Sequence, residues 1–132
     1  MINQIRRDEM FDFDFNSGEP IYRQVAEQIE EAIINGSFPE GTQIPSTTEI
    51  SNQFHINPAT VLKGMNMLVA NGLIEKKRGV GMFVVQGAQE TVKGARRATF
   101  FEKEIQTLVK QAKSLSISET ELLKMISKGY EQ

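Results

Sequence analysis

Residues 57–85 read NPATVLKGMNMLVANGLIEKKRGVGMFVV, the most informative stretch of the chain. It begins with Asn57, a favoured helix N-cap, and Pro58, a favoured first helical residue. Asn71-Gly72 is typical of a helix end, so the pattern predicts one helix of about fourteen residues.

A basic hairpin is expected directly after this helix. Leu73–Lys76 and Met82–Val85 read as two strands joined by the glycine-rich tip Lys77–Gly81. Glycine permits positive φ at the tip, and Arg78 is a residue type that enters a narrow minor groove or pairs with phosphate. A helix followed by such a hairpin, which we call the wing, indicates a winged helix-turn-helix that places the helix in a DNA major groove. The alternative for the wing is a solubilising charged turn.

The 100° step between helical residues divides the predicted helix into two faces. The positions expected to pack inward are Val61, Met65, Leu68 and Val69. Those expected to face outward are Ala59, Lys63, Asn66 and Met67, with Thr60 near the edge. Small side chains at the helix start allow close approach to base edges, and Lys63 is the best candidate for a base or phosphate contact. A single solvated lysine is the alternative interpretation of Lys63.

A second, shorter helix is expected before it. Ser46 or Thr47 is placed to cap this helix, and Glu49 completes a capping box with Ser46. His55-Ile56 would form the turn, and the Gly- and Pro-rich segment Ser37–Pro45 is expected to be a loop. The two helices then match a helix-turn-helix. The alternative is a plain helical hairpin whose outer face is merely solvated.

Residues 1–19 are expected to form an N-terminal arm. Phe11, Phe13 and Phe15 alternate with aspartates, which predicts a short strand or an extended packed segment. A first helix, with one apolar stripe, is then expected from Pro20 to Asn35.

Helical periodicity returns after a boundary at Gly87 and Ala88. A 4-3-4-3 spacing, typical of a coiled-coil-like seam between two chains, relates Phe101, Ile105, Leu108, Ala112 and Leu115. Ser118 and Glu121 form another capping box, opening a final helix with inward positions Leu122, Met125 and Ile126.

The charge of the chain is uneven, although its net value is only −2. Residues 1–40 hold three basic and nine acidic side chains. Residues 41–86 hold four basic and two acidic side chains, and residues 87–132 hold eight basic and six acidic ones. The positive charge of the middle segment lies on the predicted helix and wing. It is a weak electrostatic footprint for nucleic acid.

Several functional classes are disfavoured by composition. The chain has no cysteine, and its single histidine, His55, has no clustered carboxylates with which to hold a metal. Nothing supplies a nucleophile, a base and an oxyanion site together, so we expect neither a cofactor nor enzymatic activity. The apolar runs are too short to span a membrane, and the first residues lack secretory-signal features. The absence of cysteine suits a cytoplasmic protein.

Two long segments resemble a known family. PIYRQVAEQIEEAIINGSFPEGTQIPSTTEIS (20–51) and INPATVLKGMNMLVANGLIEKKRGVGMFV (56–84) are similar to the DNA-binding domain of GntR-family bacterial transcription regulators. The region after it is similar to the YtrA subfamily in length and helicity. The fold class expected is α+β, with an arm at 1–19, a winged helix-turn-helix at 10–86 and a two-helix dimerisation region at 87–132.

The resemblance implies a cytoplasmic homodimer that binds an inverted-repeat operator in double-stranded DNA, usually as a repressor. In the YtrA subfamily the regulated genes often encode ABC-type transporters. It assigns DNA contacts to the start of the second helix, the start of the third and the wing. The candidate DNA-binding residues are Ser46, Thr47, Thr48, Asn57, Pro58, Ala59, Thr60, Lys63, Lys77, Arg78, Gly79 and Gly81.

Three residues depart from the family pattern. Thr48 stands where the family has a DNA-contacting arginine, Leu62 where a small polar residue is common, and Val80 where a wing lysine often sits. The missing arginine and the weak charge motivate the alternative function, a winged-helix protein-interaction module with little DNA binding. The sequence does not indicate whether a small-molecule effector exists.

Overall fold

The computed structural model describes residues 11–132, so the first ten residues of the predicted arm lie outside it. The chain divides into two compact units, the first ending at Lys93 and the second running from Gly94 to Gln132. The first unit therefore extends past the boundary expected near Gly87. Ala88 and Val92 belong to its buried core.

Three helices and a hairpin make up most of the first unit. The helices are α1 (Ile21–Ile34), α2 (Thr47–Phe54) and α3 (Pro58–Ala70), followed by the antiparallel strands β1 (Ile74–Lys77) and β2 (Gly81–Val84). A further helix, α4 (Ala88–Thr99), begins in the first unit and ends in the second. The second unit continues with a π-helical segment (Phe100–Ile105), α5 (Gln106–Ser114) and α6 (Glu119–Tyr130). This order confirms the α+β winged helix-turn-helix expected from the sequence.

The core of the first unit forms where α1 packs against α3. Val25 and Ile29 of α1 and Val61, Met65 and Leu68 of α3 are completely buried. These residues recur at three- and four-residue spacing, which places them on one stripe of each helix. Val69, expected to face inward, is instead 40% exposed. It lies one residue past Leu68, and the 100° step carries it off the buried stripe.

The helices α1 and α3 approach each other closely at Gly64. A Cβ atom at this position would lie 2.6 Å from the backbone oxygen of Tyr22 and 3.0 Å from Cβ of Val25. Only a residue without a side chain lets α3 come this close to α1.

The segment expected to be a loop at Ser37–Pro45 contributes to the sheet. Ile44 N–H donates to the Met82 carbonyl at 2.9 Å, and Val84 N–H donates to the Thr42 carbonyl at 3.0 Å. Gln43 pairs with Phe83 in an antiparallel bridge. Residues 41–44, which we call the edge segment, thus lie along β2 and cover its free edge. Residues 37–45 are otherwise irregular, as expected of a loop, so the prediction missed only the bridge of this segment to β2.

The described part of the arm is held by two glutamines of α1. The Gln28 side chain accepts from Asp12 N–H at 2.7 Å and donates to the Asp12 carbonyl, and Gln24 makes the same pair with Asp14. Four residues of helix rise about 6 Å and two residues of extended chain about 6.6 Å, so glutamines one turn apart match alternate arm residues. The arm is therefore an extended packed segment, as one of the two expectations had it.

Aromatic packing fixes the other side of the arm. Phe11 stacks on Phe13 with ring centroids 5.5 Å apart, and both rings meet Phe54 of α2 edge-on at 5.6 and 5.0 Å. Phe15, the third member of the alternating set, is 60% exposed. The turn that starts at Phe15 ends the extended stretch and with it the alternation.

The start of α4 is capped by residues distant in sequence. Gln89 N–H donates to the Glu40 carboxylate at 3.1 Å, and the Gln89 side chain donates to the Ile34 carbonyl at the end of α1 at 2.7 Å. The pKa of Glu40 lies below its usual value because Gly87 and Gln89 N–H groups donate to its ionised carboxylate. The start of α4 and the end of α1 thus each have a backbone group that is hydrogen-bonded by a side chain from outside the helix.

The second unit has little interior in this single chain. Ala112 is its one buried residue among Gly94–Gln132. Ile105 and Leu108 are half-buried, whereas Phe101 and Leu115 are 61% and 71% exposed. The 4-3-4-3 spacing presumes a regular α-helix, but Phe100–Ile105 is π-helical, so the turn from Phe101 to Ile105 is wider than the spacing assumes. Leu122 is half-buried, while Met125 and Ile126, also expected inward, are exposed because no described element of the chain covers them.

We expect Gly64→Ala to lower the free energy of unfolding by about 1–3 kcal/mol, because the added methyl group overpacks the contact between α1 and α3. Gly94→Ala is the matched control, since a Cβ at this helical glycine meets nothing within 4 Å. That change should stabilise the protein by about 0.5–1 kcal/mol through helix propensity alone. Urea denaturation of both variants measures the difference. Equal stabilisation by both would contradict the close approach at Gly64.

Candidate nucleic-acid interface

The N-terminus of α2 is closed by the expected capping box. Ser46 Oγ accepts from Glu49 N–H at 3.0 Å, and the Glu49 carboxylate accepts from Ser46 N–H at 3.2 Å. A serine hydroxyl has one donor and two acceptor sites, so the Ser46 O–H remains able to donate to a phosphate oxygen. Thr47 is half-buried beside it and Thr48 is exposed.

A tight turn connects α2 to α3. His55 has left-handed backbone angles, φ 56° and ψ 43°, and its N–H donates to the Ser51 carbonyl. The buried Ser51 hydroxyl donates to the Ile56 carbonyl at 2.6 Å. His55 therefore has a conformational role in the turn, and the side chain of Ser51 fixes where α3 begins.

The N-terminus of α3 is exposed and is capped by the side chain of Asn57. Asn57 Oδ1 accepts from Ala59 N–H at 2.8 Å, which leaves the Asn57 amide N–H groups available to other acceptors. Asn57, Pro58 and Ala59 are exposed, and Thr60 is half-buried. Lys63 is exposed one turn further along, as expected. This end of α3 presents small side chains together with the positive end of the helix dipole.

Lys63 is not an isolated lysine, because α1 supplies it with two neighbours. Its Nζ lies 4.0 Å from the ring centroid of Tyr22, and Arg23 Nε donates to the Tyr22 hydroxyl at 3.4 Å. The pKa of Tyr22 lies below its usual value, first because of the hydrogen bond from Arg23 and then because of the Lys63 charge. Two cations thus meet around one phenol at the edge of the outer face of α3.

Sequence reasoning missed Tyr22 and Arg23. Both lie in the first turn of α1, where the periodicity marks them only as positions outside the apolar stripe. The tight contact of α1 with α3 at Gly64, the residue after Lys63, brings them together. A glycine within a predicted core helix was the available signal for this contact.

The wing is shorter at its tip than expected. The strands pair Lys77 with Gly81, so the tip consists of Arg78, Gly79 and Val80, closed by a hydrogen bond from Val80 N–H to the Lys77 carbonyl at 2.9 Å. The predicted strands Leu73–Lys76 and Met82–Val85 were each displaced by one residue. The reason is that Gly79, with φ 75°, makes a tight turn possible and lets pairing continue to Lys77 and Gly81.

Lys77 and Arg78 differ in their surroundings. Lys77 Nζ lies 4.4 Å from the ring centroid of Phe83, so its ammonium group packs on the side of the hairpin. Arg78 is exposed at the tip. Of the two basic residues expected at the tip, Arg78 is the one that reaches beyond the strands.

Among residues 11–132, no group of three or more His, Cys, Asp or Glu side chains is arranged to hold a metal ion. No helix within the described range is long and apolar enough to cross a membrane.

Comparison with known proteins identifies this arrangement. Residues 21–84 match the family described as bacterial regulatory proteins, gntR family. The transcriptional repressor YtrA of Bacillus subtilis is 32% identical over 101 residues, which make up 76% of each chain. The chain belongs to the GntR family.

Solved structures of GntR-family proteins agree with the fold. A structure from Bacteroides thetaiotaomicron superposes with a TM-score of 0.70 at 31% identity, covering 84% of this chain and 96% of that one. The DNA-binding domain of AraR, solved in complex with an operator, is 31% identical over 57% of this chain and 94% of its own, with a TM-score of 0.52. These likenesses confirm the expected YtrA-like GntR regulator with a DNA-binding domain, and regulators of this family are not enzymes.

The capping boxes of α2 and α6 provide a matched test of Ser46 in this GntR regulator. We expect Ser46→Ala and Ser118→Ala each to cost about 1 kcal/mol of stability, because each removes an equivalent cap. Only Ser46→Ala should also lower DNA affinity, by about tenfold, through loss of a hydrogen bond to a charged phosphate. Thermal melts and fluorescence anisotropy with a selected duplex measure the two effects. Equal DNA affinity of the two variants would limit Ser46 to its capping role.

Proposed function

We propose that this GntR regulator is a cytoplasmic homodimeric repressor that binds an inverted-repeat operator through α3 and the wing. The observation that carries the proposal is the exposed, capped start of α3. The Asn57 side chain accepts a hydrogen bond from one backbone N–H at the start of α3. Asn57, Pro58 and Ala59 are exposed, so the N-terminus of the helix remains accessible. Such a helix end is suited to close approach to base edges in a major groove.

Phosphate contacts are proposed on both sides of that helix end. On one side, Lys63 and Arg23 form a cationic pair around Tyr22, whose hydroxyl is a further potential donor. On the other, the resemblance to the family assigns contacts to the wing, where Arg78 is exposed. Contacts to phosphates set the register of a protein on DNA, whereas base contacts set its specificity.

Dimerisation is proposed to involve the second unit. Eight of the thirteen exposed large hydrophobic side chains in the described part of the chain lie between Phe100 and Tyr130. A unit with one buried residue gains little from its own interior, and exposed apolar surface of this kind is typical of an interface. A second copy of the chain is the proposed cover, with Ile105 and Leu108 at its centre and Ala112, already buried within its own chain, next to them. Phe101 and Leu115 stay in the proposed seam as its exposed ends.

The regulated genes are proposed from the subfamily. YtrA-like regulators often control operons of ABC-type transporters, and we propose a transporter-type operon here. A two-fold dimer places two α3 helices on half-sites about one helical turn apart, ~10 bp or somewhat more.

The direct test is selection of bound duplexes from a random DNA pool at moderate salt. We expect an inverted repeat to be enriched by the wild-type protein. Lys63→Ala and Arg78→Ala should each weaken binding to it by about tenfold. The slope of log affinity against log salt should also become less steep in both variants. Each phosphate contact that is lost should reduce the magnitude of this slope by roughly one.

Lys110→Ala is the control for removal of one positive charge, since Lys110 is an exposed lysine of α5. Its affinity for the selected duplex should match that of the wild type. If all three variants bind alike, the proposed interface is wrong. If the wild-type protein enriches no sequence, the operator function itself is contradicted, and a protein-interaction module becomes the better hypothesis.

A charge placed in the proposed seam should separate the subunits. We expect Leu108→Glu to shift the protein from dimer to monomer in sedimentation equilibrium, because a carboxylate buried without a partner is strongly unfavourable. Thr107→Glu adds the same charge at the neighbouring exposed position and should leave the dimer intact. A dimer that persists in Leu108→Glu would place the interface elsewhere.

A further inference from the structure

We propose that Gln43 is a positioning residue that holds the tip of the wing in the orientation required for DNA contact. The inference rests on the proposed DNA-binding function of the wing. No base or phosphate contact is ascribed to Gln43 itself. Its effect on DNA is exerted through the backbone of Val80.

The backbone of the edge segment brings Gln43 to the wing. Hydrogen bonds on either side of it, from Ile44 N–H to Met82 and from Val84 N–H to Thr42, fix residues 42–44 against β2. Gln43 lies opposite Phe83 in this pairing. From this position its side-chain Nε2 donates to the Val80 carbonyl at 2.8 Å. A residue 37 positions earlier in the sequence therefore bonds directly to the tip.

Gly81 provides the space for this bond. A Cβ atom at Gly81 would overlap the Gln43 amide nitrogen. Gly81 also has φ 140°, a conformation that residues with side chains rarely adopt. The glycine next to Val80 thus both turns the chain and admits the glutamine amide.

Val80 is fixed at both of its backbone polar groups. Its N–H donates to the Lys77 carbonyl, and its carbonyl accepts from Gln43. Lys77 is itself held by the ring of Phe83, the residue opposite Gln43. With Val80 and Lys77 restrained, the conformational freedom of the intervening Arg78 and Gly79 is reduced before DNA arrives. Preorganisation of this kind lowers the entropic cost of binding.

The test replaces the glutamine by methionine, which has a similar length but no N–H donor. We expect Gln43→Met to lower operator affinity by about three- to tenfold, because the freed tip must then be ordered when DNA binds. Gln86→Met makes the same chemical change at a second exposed glutamine, close to the other end of the hairpin. That variant should bind as the wild type does.

Two further readouts separate positioning from a general loss of stability. Amide relaxation of the free protein should show increased motion at Gly79 and Gly81 in Gln43→Met, while the amides of α1 and α3 relax as in the wild type. On the selected duplex, hydroxyl-radical protection of the backbone at the wing should weaken, whereas protection of guanine N7 under α3 should persist.

Unchanged amide motion and unchanged protection at the wing in Gln43→Met would overturn the proposal. Uniform loss of protection under both α3 and the wing would also overturn it, because the effect would then not be local. If the wild-type protein selects no DNA, the proposed function fails separately, and the amide measurements on the free protein still decide whether Gln43 holds the tip.

Discussion

The close contact at Gly64 determines how α1 packs against α3 in the first unit. Because a Cβ atom at Gly64 would meet the Tyr22 carbonyl at 2.6 Å, the two helices approach backbone to backbone. The stripe of α3 that includes Val61 and Leu68 is then buried, and the opposite face is exposed. The same approach carries Lys63, the preceding residue, over the ring of Tyr22. The glycine at position 64 therefore affects both the packing of the core and the position of Lys63, a proposed phosphate contact.

A short run between α1 and α2 connects most of the other elements. Glu40 caps the start of α4, residues 41–44 pair with β2, and Ser46 caps α2. These seven consecutive positions thus order the last helix of the first unit, the wing and the helix-turn-helix. A change in this run is expected to affect several elements at once, since each bond in it satisfies a backbone group of a different element. The proposed role of Gln43 is one instance of this dependence.

Local signals in the sequence were sufficient for the helices and their ends. Ser46 with Glu49, and Asn57 with Pro58, cap helices through contacts within three residues, so their spacing alone predicts the geometry. Contacts over a long sequence separation were not predictable in this way. The contacts of Gln43 with the wing and of Lys63 with Tyr22 depend on how the elements pack. The periodicity of apolar residues does not predict such contacts. The seam at 101–115 was affected by a third factor, since the spacing of apolar residues does not reveal a π-helical segment.

Geometry has particular weight in this GntR regulator because its electrostatics are weak. The net charge of the chain is −2, and residues 41–86 carry only four basic side chains. The resemblance to the family also predicts that Thr48 replaces an arginine that would contact DNA. A protein with few phosphate contacts gains little affinity from its overall field. Its specificity must then come from a small number of short-range contacts. Each contact contributes more to the binding free energy when the groups that form it lose little conformational freedom on binding. The caps at Ser46 and Asn57, the stacking of Lys63 and Lys77 on aromatic rings, and the bond from Gln43 to the tip all restrict such groups before DNA is met.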